Sequence, residues 1–478
     1  MSKQLGDKAF TTENKALAIN LDRSIYGTFA EIGAGQEVAR NFFVAGGAAG
    51  TIAKSMSAYD MKVSDDIYGK SSRYVSKDRL ETMLTHEFDQ NISRLKEQRG
   101  SETRFFSFAD TVAAKSFSGN NECHGWMGLR FQHAAGSSIS QVIIHVKMKD
   151  RSNVQQQQAI GIIGVNLMFA CFNFADNKEK FVDVLLENLG KDRVEINMID
   201  IEGEAFGGVD KRIFGLLLVE KSVCKAMMFN SNGDVVELKD ELYSKNILLC
   251  RGSYRPPTKL NIDMLNSGEE AFICDLKKND DFNPDKDKIL ILPEISMNKL
   301  LERGEVDNND FLARVNLLSN LGLSVLISNF KNYGQLSAYI SSKTKKKLAF
   351  VFGFHNMKEI FDEENYLDQV GGLLGGLGGL LGHRTSLYCY PAKSDNNEKI
   401  LFFEDCDIDK KLDYLFKYLN DIHRLKNVKN FNKDVFHIWS RQVLKEIQNG
   451  DSSWEQNVPE EIIKIIKDEC LFGVPCNV

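Results

Sequence analysis

The chain has 478 residues, of which 43% are hydrophobic and 26% charged, with only 7 prolines. This length exceeds the roughly 250 to 300 residues at which a single core stops growing, so we expect more than one domain and little disorder. The net charge of −6 provides no positive field for a phosphate backbone, which argues against a dedicated nucleic-acid binder.

Targeting and metal-binding signals are weak throughout the chain. The first residues lack an apolar export segment, so we expect a cytoplasmic protein. The apolar run Ala159–Phe174 is interrupted by Asn166 and Asn173 and is shorter than the ~20 residues that cross a bilayer, so it predicts a buried element and no membrane partner. Nine scattered cysteines without a C-x-x-C pair, and eight histidines without ligand spacing, indicate neither a disulfide framework nor a metal site.

Residues 1–240 have the pattern of a mixed α+β domain. Apolar residues between Asp78 and Gly100 recur every three or four positions, which predicts an amphipathic helix with Gly100 as its C-cap. The dipeptide Asn232-Gly233 between two apolar runs predicts a β-hairpin. Apolar and β-branched runs predict strands at residues 26–32, 104–108, 141–147 and 193–201.

After residue 240 the chain alternates between apolar runs and helical patterns. Near-continuous apolar strands separated by helices imply a parallel sheet covered on both faces, so residues 241–405 are predicted to form a Rossmann-like domain. Residues 406–478 have helical patterns and are expected to form a C-terminal helical region. The predicted fold class is therefore α/β. The predicted strands of the second domain are Asn246–Arg251, Ile289–Ile295, Leu323–Phe330, Leu348–Phe354 and Ser386–Tyr390.

Gly33 and Gly35 lie between a predicted strand and a predicted helix, like the glycines of a dinucleotide or S-adenosylmethionine loop. The dinucleotide pattern needs a small residue at Val38, and the methyltransferase pattern needs glycine at Glu37. The Glu37 carboxylate would also repel a pyrophosphate. We therefore favour a structural role, in which the glycines allow the strand and the helix to pack closely.

Two further patterns resemble catalytic motifs. Cys123 and His124 are neighbours on a strand and point to opposite faces, so they do not form a dyad with each other. The run 230–234 mimics the D-x-D-G turn of phosphatases but has Asn at both carboxylate positions, so a hairpin is the better interpretation.

The most informative stretch is residues 246–265, a buried strand followed by a Gly-Ser turn, two prolines and a helix start. Open α/β sheets bind ligands at this carboxyl edge. Thr258 is predicted to cap the helix, whose first amides favour an anion, with Arg255 and Lys259 supplying positive charge. The predicted nucleotide- or phosphate-binding residues are Gly252, Ser253, Arg255, Thr258, Lys259 and Asn261.

The same stretch resembles the first motif of the nucleotidyltransferase superfamily that includes the nicotinamide and nicotinate mononucleotide adenylyltransferases, G-[ST]-F-[ND]-P-x-[HT]-x-G-H. Tyr254 takes the aromatic position, and Arg255 replaces the usual Asn or Asp. The last Gly and His, which help to hold the triphosphate in that family, are replaced by Leu260 and Asn261, so the departures fall on the catalytic part of the motif. The matching residues are Gly252, Ser253, Pro256 and Thr258.

The run YGTFAEIGAGQEVARNFF and the run RGSYRPPT together resemble a group of bacterial proteins of about this length, some of which are described as adenylyltransferases. The resemblance implies a nucleotide-type ligand-binding protein with a degenerate adenylyltransferase-like domain. If it is active, it would transfer an adenylyl group from ATP to a mononucleotide, with Mg²⁺ bound alongside ATP.

An alternative hypothesis is a non-catalytic, self-assembling scaffold that reuses the same fold. The run GGLLGGLGGLLG, residues 371–382, has small residues every four positions. It predicts either a flexible segment over the sheet or a close helix contact, within one chain or between subunits. Under this hypothesis we expect a homo-oligomer or a larger assembly.

Overall fold

The computed structural model describes residues 10–33, 35–119, 121–278, 282–283, 287–302, 304–382, 384–394 and 399–475. The chain divides into two compact units, Met1–Cys224 and Lys225–Val478. Both contain helices and parallel strands, which confirms the α/β class. The boundary lies before the predicted one at residue 240, because the hairpin at residues 226–236 pairs with the second sheet. Residues 406–478 belong to the second unit.

The first unit contains seven helices and six strands within the described residues. They are α1 Thr12–Asn20, β1 Ile25–Ile32, α2 Glu37–Ala45, β2 Ile52–Met56, α3 Met61–Tyr68, α4 Lys77–Arg99, β3 Arg104–Ala113, β4 His124–Gln132, β5 Ile139–Met148, α5 Asn153–Phe174, α6 Lys178–Leu185, β6 Val194–Glu202 and α7 Lys211–Glu220.

The strands of the first unit form one mixed sheet in the order β2-β1-β3-β4-β5-β6. Strand β1 is parallel to both β2 and β3, whereas β3, β4, β5 and β6 are antiparallel to one another in turn. The amphipathic helix predicted at Asp78–Gly100 is α4, and Gly100 is its C-cap as expected. Its apolar stripe is buried, because residues such as Leu84 and Phe88 pack towards the sheet.

Helix α5 is long and apolar enough to cross a membrane by length and composition, but 67% of its most apolar window is buried inside the protein. Asn166, which interrupts the apolar run, accepts a hydrogen bond from the buried Lys15 ammonium at 2.7 Å. Its amide nitrogen donates to the carbonyl oxygens of Leu185 and Glu187. The prediction of a buried element is therefore confirmed, with Asn166 satisfied inside it.

The second unit contains ten helices and ten strands within the described residues. They are β7 Ala226–Phe229, β8 Val235–Val236, α8 Leu238–Leu242, β9 Asn246–Arg251, α9 Lys259–Leu276, β10 Ile289–Ser296, α10 Met297–Leu300, α11 Asn308–Asn320, β11 Val325–Ser328, α12 Tyr333–Ser341, β12 Leu348–Gly353, α13 Asn356–Phe361, α14 Gly372–Leu380, β13 Thr385–Tyr390, β14 Ala392–Lys393, β15 Ile400–Leu401, α15 Asp413–Asp421, β16 Leu425–Asn427, α16 Ser440–Asn449 and α17 Glu460–Asp468.

The main sheet of this unit has the order β16-β13-β12-β9-β10-β11-β7-β8. The first six strands in this order are parallel, and β7 and β8 extend the edge as an antiparallel hairpin. From β9 the chain winds outward through β10 and β11, then crosses to β12 and winds the other way. This is the 3-2-1-4-5-6 order of a doubly wound fold, with its topological switch point between β9 and β12.

Both faces of the second sheet are covered. Leu248 and Val351 point to the face covered by α9, whereas Ile247 and Phe350 belong to the apolar cluster on the other face, which includes α12 to α15. The C-terminal helices α16 and α17 form a further apolar cluster with α11. The near-continuous apolar strands of the sequence are explained by this burial on both sides.

The Gly-rich run forms α14, which packs closely on α12 within the same chain. A Cβ at Gly334 in α12 would lie 2.3 Å from the carbonyl oxygen of Gly376. The two backbones therefore approach to a distance that side chains at these positions would prevent. The close helix contact predicted for this run is confirmed as an intramolecular one.

Candidate functional site

The loop after β9, residues 252–258, is fixed by its own backbone and by Tyr254. The Gly252 amide donates to the carbonyl oxygen of Glu294 at 3.0 Å. The Tyr254 hydroxyl donates to the carbonyl oxygen of Cys250 at 2.8 Å, and the ring is buried. Burial raises the pKa of the Cys250 thiol to about 11, so this cysteine is protonated at neutral pH and is not a nucleophile.

A buried ion pair joins the carboxyl ends of the central strands beneath this loop. Arg251 at the end of β9 donates to both carboxylate oxygens of Glu294 at the end of β10, at 2.7 and 3.2 Å. Ser328 at the end of β11 donates to the same carboxylate. Because its charge is already paired, Arg251 supports the strand ends and is not available to a ligand.

The N-terminus of α9 is capped by residues of its own first turn. The Thr258 hydroxyl accepts a hydrogen bond from the Asn261 amide at 3.3 Å, and the Asn261 side-chain oxygen accepts from the Thr258 amide at 3.0 Å. Thr258 is fully buried. The prediction that Thr258 caps this helix is confirmed, and the reciprocal capping box leaves less room for an anion at the same amides.

Two arginines share one carboxylate beside the loop. Asp310, in the first turn of α11, forms ion pairs with both Arg255 and Arg314. Arg314 also donates to the carbonyl oxygen of Ser253 at 3.1 Å, which ties the loop to α11. All three charged side chains are at most 14% exposed, so this group carries one unbalanced positive charge in a largely buried position.

Two cavities flank the Arg255–Asp310 pair. The smaller has a volume of about 120 Å³, and Ser253, Arg255 and Arg441 line it. The larger, of about 530 Å³, is also lined by Arg255 and lies within the ~300 to 1,000 Å³ typical of small-molecule sites. Its lining includes the carboxamides of Asn309, Asn316 and Gln448. Lys259 lines neither cavity.

The start of α16 also lines the smaller cavity. This helix begins at Ser440, and its N-cap residue, Trp439, makes no side-chain capping bond. Ser440 and Arg441 both line the cavity, and Arg441 is exposed, with the Glu302 carboxylate as the charge that it interacts with. An uncapped helix N-terminus beside an exposed guanidinium favours an anion.

The formal charge of the smaller cavity is balanced, with four basic and four acidic side chains in its lining. Most of the carboxylates are already engaged. Asp310 pairs with two arginines, Asp307 accepts hydrogen bonds from the first amides of α11, and Glu302 pairs with Lys299 at 2.9 Å. Such a lining suits a ligand with both anionic groups and hydroxyl donors better than a bare anion.

Sequence reasoning identified the β9 loop but missed Arg441, Arg314 and Asp310. These residues come from α11 and α16, and no spacing rule links them to Arg255. The local signal that was available is the absence of a capping residue before α16, where Trp439 stands in place of Ser, Thr, Asp or Asn. Cys470, which lines the larger cavity, is disulfide-bonded, which the scattered cysteines did not predict.

In the N-terminal glycine loop, the position that an anion would take at the start of α2 is occupied by a side chain of the protein. The carboxylate of Glu31, at the end of β1, accepts hydrogen bonds from the Val38 and Ala39 amides at 2.8 and 3.1 Å. It therefore fills the anion position at the start of α2. A Cβ at Gly33 would lie 1.9 Å from the carbonyl oxygen of Val112, so close packing explains this glycine, although the close neighbour is strand β3.

The other motif-like runs are structural. The Cys123 thiol contacts the carbonyl oxygen of Asn121 at 3.8 Å, whereas His124 contacts His145 at 2.9 Å, so Cys123 and His124 form no dyad. The run 230–234 is the turn of the β7–β8 hairpin, as predicted. Among the described residues there is no group of three or more His, Cys, Asp or Glu side chains that could hold a metal ion.

No protein-family model matches the sequence, and no curated protein matches it. Among solved structures, the competence/damage inducible protein CihA from Agrobacterium tumefaciens is 16% identical, with a TM-score of 0.25, over 33% of this chain and 94% of that chain. The Plasmodium falciparum nicotinic acid mononucleotide adenylyltransferase complexed with NaAD is 13% identical, with a TM-score of 0.28, over 48% of this chain and 98% of that chain. TM-scores this low do not establish a shared fold.

Proposed function

We propose that the second unit binds a nucleotide-type ligand at the carboxyl edge of its parallel sheet, in the two cavities beside Arg255. The observation that carries the proposal is the convergence of Arg255, the exposed Arg441 and the uncapped start of α16 on one small cavity. Doubly wound sheets bind ligands at this edge, and the β9 loop starts at the switch point.

The phosphate is assigned to the smaller cavity. Arg441 and the first amides of α16 are its main partners, with Arg255 adding charge in the same lining. Ser253 also lines this cavity, whereas Gly252 and Lys259 line neither cavity and are assigned no contact with the phosphate. Thr258 and Asn261 support the site through the capping box that fixes the loop, rather than through the phosphate itself.

The sugar of the ligand is assigned to the larger cavity, which shares Arg255 and Asp310 with the smaller one. The larger cavity offers carboxamide donors and acceptors, including Asn309 and Asn316, of the kind that orient a small polar ligand. If adenylyl transfer takes place, Mg²⁺ would arrive with ATP, because Asp307 and Asp310 are already engaged within the protein. Pyrophosphate release from ATP and nicotinate mononucleotide would test that step.

Isothermal titration calorimetry with AMP, ATP and NAD tests the binding proposal. We expect Arg441→Ala to weaken the tightest of these ligands about 10-fold, since a charge-assisted phosphate contact is lost. Lys445→Ala is the matched control, because Lys445 is an exposed cation on the same helix that lines neither cavity. Equal affinities in both variants, or no binding to the unmodified protein, would refute the proposal.

Self-association is the second candidate, in line with a scaffold role. The glycine face of α14 is used within the chain, but Val370 and Leu374 beside it are 97% and 68% exposed, as is Leu367 at 79%. We propose that these residues contact a second copy. Light scattering of Val370→Asp/Leu374→Asp should give a smaller mass than the unmodified protein, and an unchanged mass would remove this candidate.

A further inference from the structure

An aromatic pair lies at the topological switch point of the second sheet. His355 follows β12, the strand that neighbours β9 on the side opposite β10. Its ring centroid is 5.5 Å from that of Trp439, with the two rings inclined by 40°. Residues from two distant parts of the chain therefore meet at the sheet edge where ligands of this fold bind.

Trp439 is unusual among the three tryptophans of the chain. Trp126 and Trp454 are buried, whereas Trp439 is 54% exposed. Its backbone is nevertheless held firmly, because Ile438 before it and Val443 after it are core residues of the C-terminal cluster. A large planar ring thus faces solvent from a fixed position, which lowers the entropic cost of stacking on it.

Trp439 is connected to the cavity assigned to the phosphate through its position in the chain, although it does not line that cavity. Trp439 directly precedes Ser440 and Arg441, which line the smaller cavity with Ser253 and Arg255. A ligand phosphate at the start of α16 therefore has an exposed aromatic ring one residue away. A flat heterocycle attached to that phosphate through a sugar is the chemical class that fits both features.

We propose that Trp439, supported by His355, is the stacking surface for the base of the bound nucleotide. This inference rests on the proposed function and adds the ring as a second contact point. Stacking is tolerant of base identity because each base has a π-face, so Trp439 contributes affinity for a base of any identity.

The test uses the full chain and pairs of ligands that differ only in the base. AMP and nicotinamide mononucleotide are compared with ribose 5-phosphate by calorimetry. We expect Trp439→Ala to weaken the tighter mononucleotide about 10-fold and ribose 5-phosphate by less than about 2-fold. Trp439→Phe should restore most of the loss. Mononucleotide binding should also quench the fluorescence of Trp439, which is distinguished from that of the other two tryptophans because they are buried.

Tyr414→Ala is the matched control, since Tyr414 is an exposed aromatic residue of α15, 89% exposed, that lines neither cavity. If mononucleotides bind the unmodified protein and Trp439→Ala leaves their affinity unchanged, stacking is refuted while the proposed function stands. If Trp439→Ala weakens ribose 5-phosphate equally, Trp439 acts on the phosphate and the base assignment is refuted. If neither ligand class binds the unmodified protein, both proposals fail.

Discussion

The two units each contain a glycine-bearing loop between a buried strand and a helix, and the two loops are used differently. In the first unit the Glu31 carboxylate occupies the amides at the start of α2. In the second unit the start of α9 is capped by Thr258 and Asn261, and arginines of α11 and α16 lie beside the loop.

A strand-glycine-helix pattern does not by itself define an anion site. An anion can bind at the start of such a helix only where no side chain of the protein already accepts the hydrogen bonds of the helix amides. By this criterion the first amides of α2 are bonded to the Glu31 carboxyl group and those of α9 to its capping box, whereas no side chain caps the start of α16.

The largest expected effect is that of Gly33→Ala. Gly33 has a φ of +104°, and an added Cβ would lie 1.9 Å from the Val112 carbonyl oxygen. We expect a loss of about 3 to 5 kcal/mol in the stability of the first unit, measured by hydrogen exchange in β1 and β3. Gly252→Ala is the counterpart in the second loop, where the atoms nearest to the added Cβ belong to the Tyr254 ring, and it should cost about 1 to 2 kcal/mol. Equal losses would contradict this account.

Asp310→Asn should have the next largest effect. It leaves Arg255 and Arg314 without their shared carboxylate in a largely buried position, which costs about 3 kcal/mol in the second unit. Urea denaturation monitored by circular dichroism measures the change. Glu305→Gln removes an exposed carboxylate from the same cavity and should cost less than about 0.5 kcal/mol. A cost below about 0.5 kcal/mol for Asp310→Asn as well would show that the shared ion pair does not stabilise the second unit.

A pH dependence is expected in the first unit. Burial raises the pKa of Glu31 to about 7, and burial together with the Glu31 charge raises the pKa of its strand partner Asp110 well above its usual range. The folded protein therefore holds protons that the unfolded chain releases above about pH 4. Stability should fall as the pH rises through 7, by about 1 to 2 kcal/mol between pH 5.5 and 7.5.

Asp110→Asn is the variant that isolates this effect, because it removes one of the two carboxylates while keeping a similar shape. Thermal melting across the same pH range should then show a shallower decline than in the unmodified protein. A stability that rises with pH over this window in the unmodified protein would contradict the assignment of raised pKa values.

The smallest expected effect is that of Thr258→Ala, which removes a helix cap. We expect a loss of about 1 kcal/mol in the stability of the second unit, and less than about 3-fold weaker AMP binding in calorimetry. Thr258→Ser keeps the hydroxyl and should retain both properties. A 10-fold or larger loss of AMP affinity in Thr258→Ala, with Thr258→Ser intact, would instead place the phosphate at α9.

The sequence predicts strands β9 to β13 of the second sheet because each is a short apolar run that is largely buried, whereas the edge strand β16 lies in the region predicted to be helical and was missed. Strand β9 has the predicted bounds, Asn246–Arg251, and β12 differs by one residue. The first sheet is predicted less completely, since the short edge strand β2 and helix α3 have weak patterns. The cap at Thr258 is local and was found, whereas Asp310 and Arg441 reach the cavity only through tertiary folding, and the missing cap before α16 is the one local sign of Arg441.

The most direct measurement is a crystal structure of the full chain with a bound mononucleotide such as AMP. The account predicts the phosphate within hydrogen-bonding distance of the Arg441 guanidinium and the Ser440 amide, with the base against Trp439. A phosphate seated at the start of α9 or α2, or a nucleotide bound away from the smaller cavity, would contradict it.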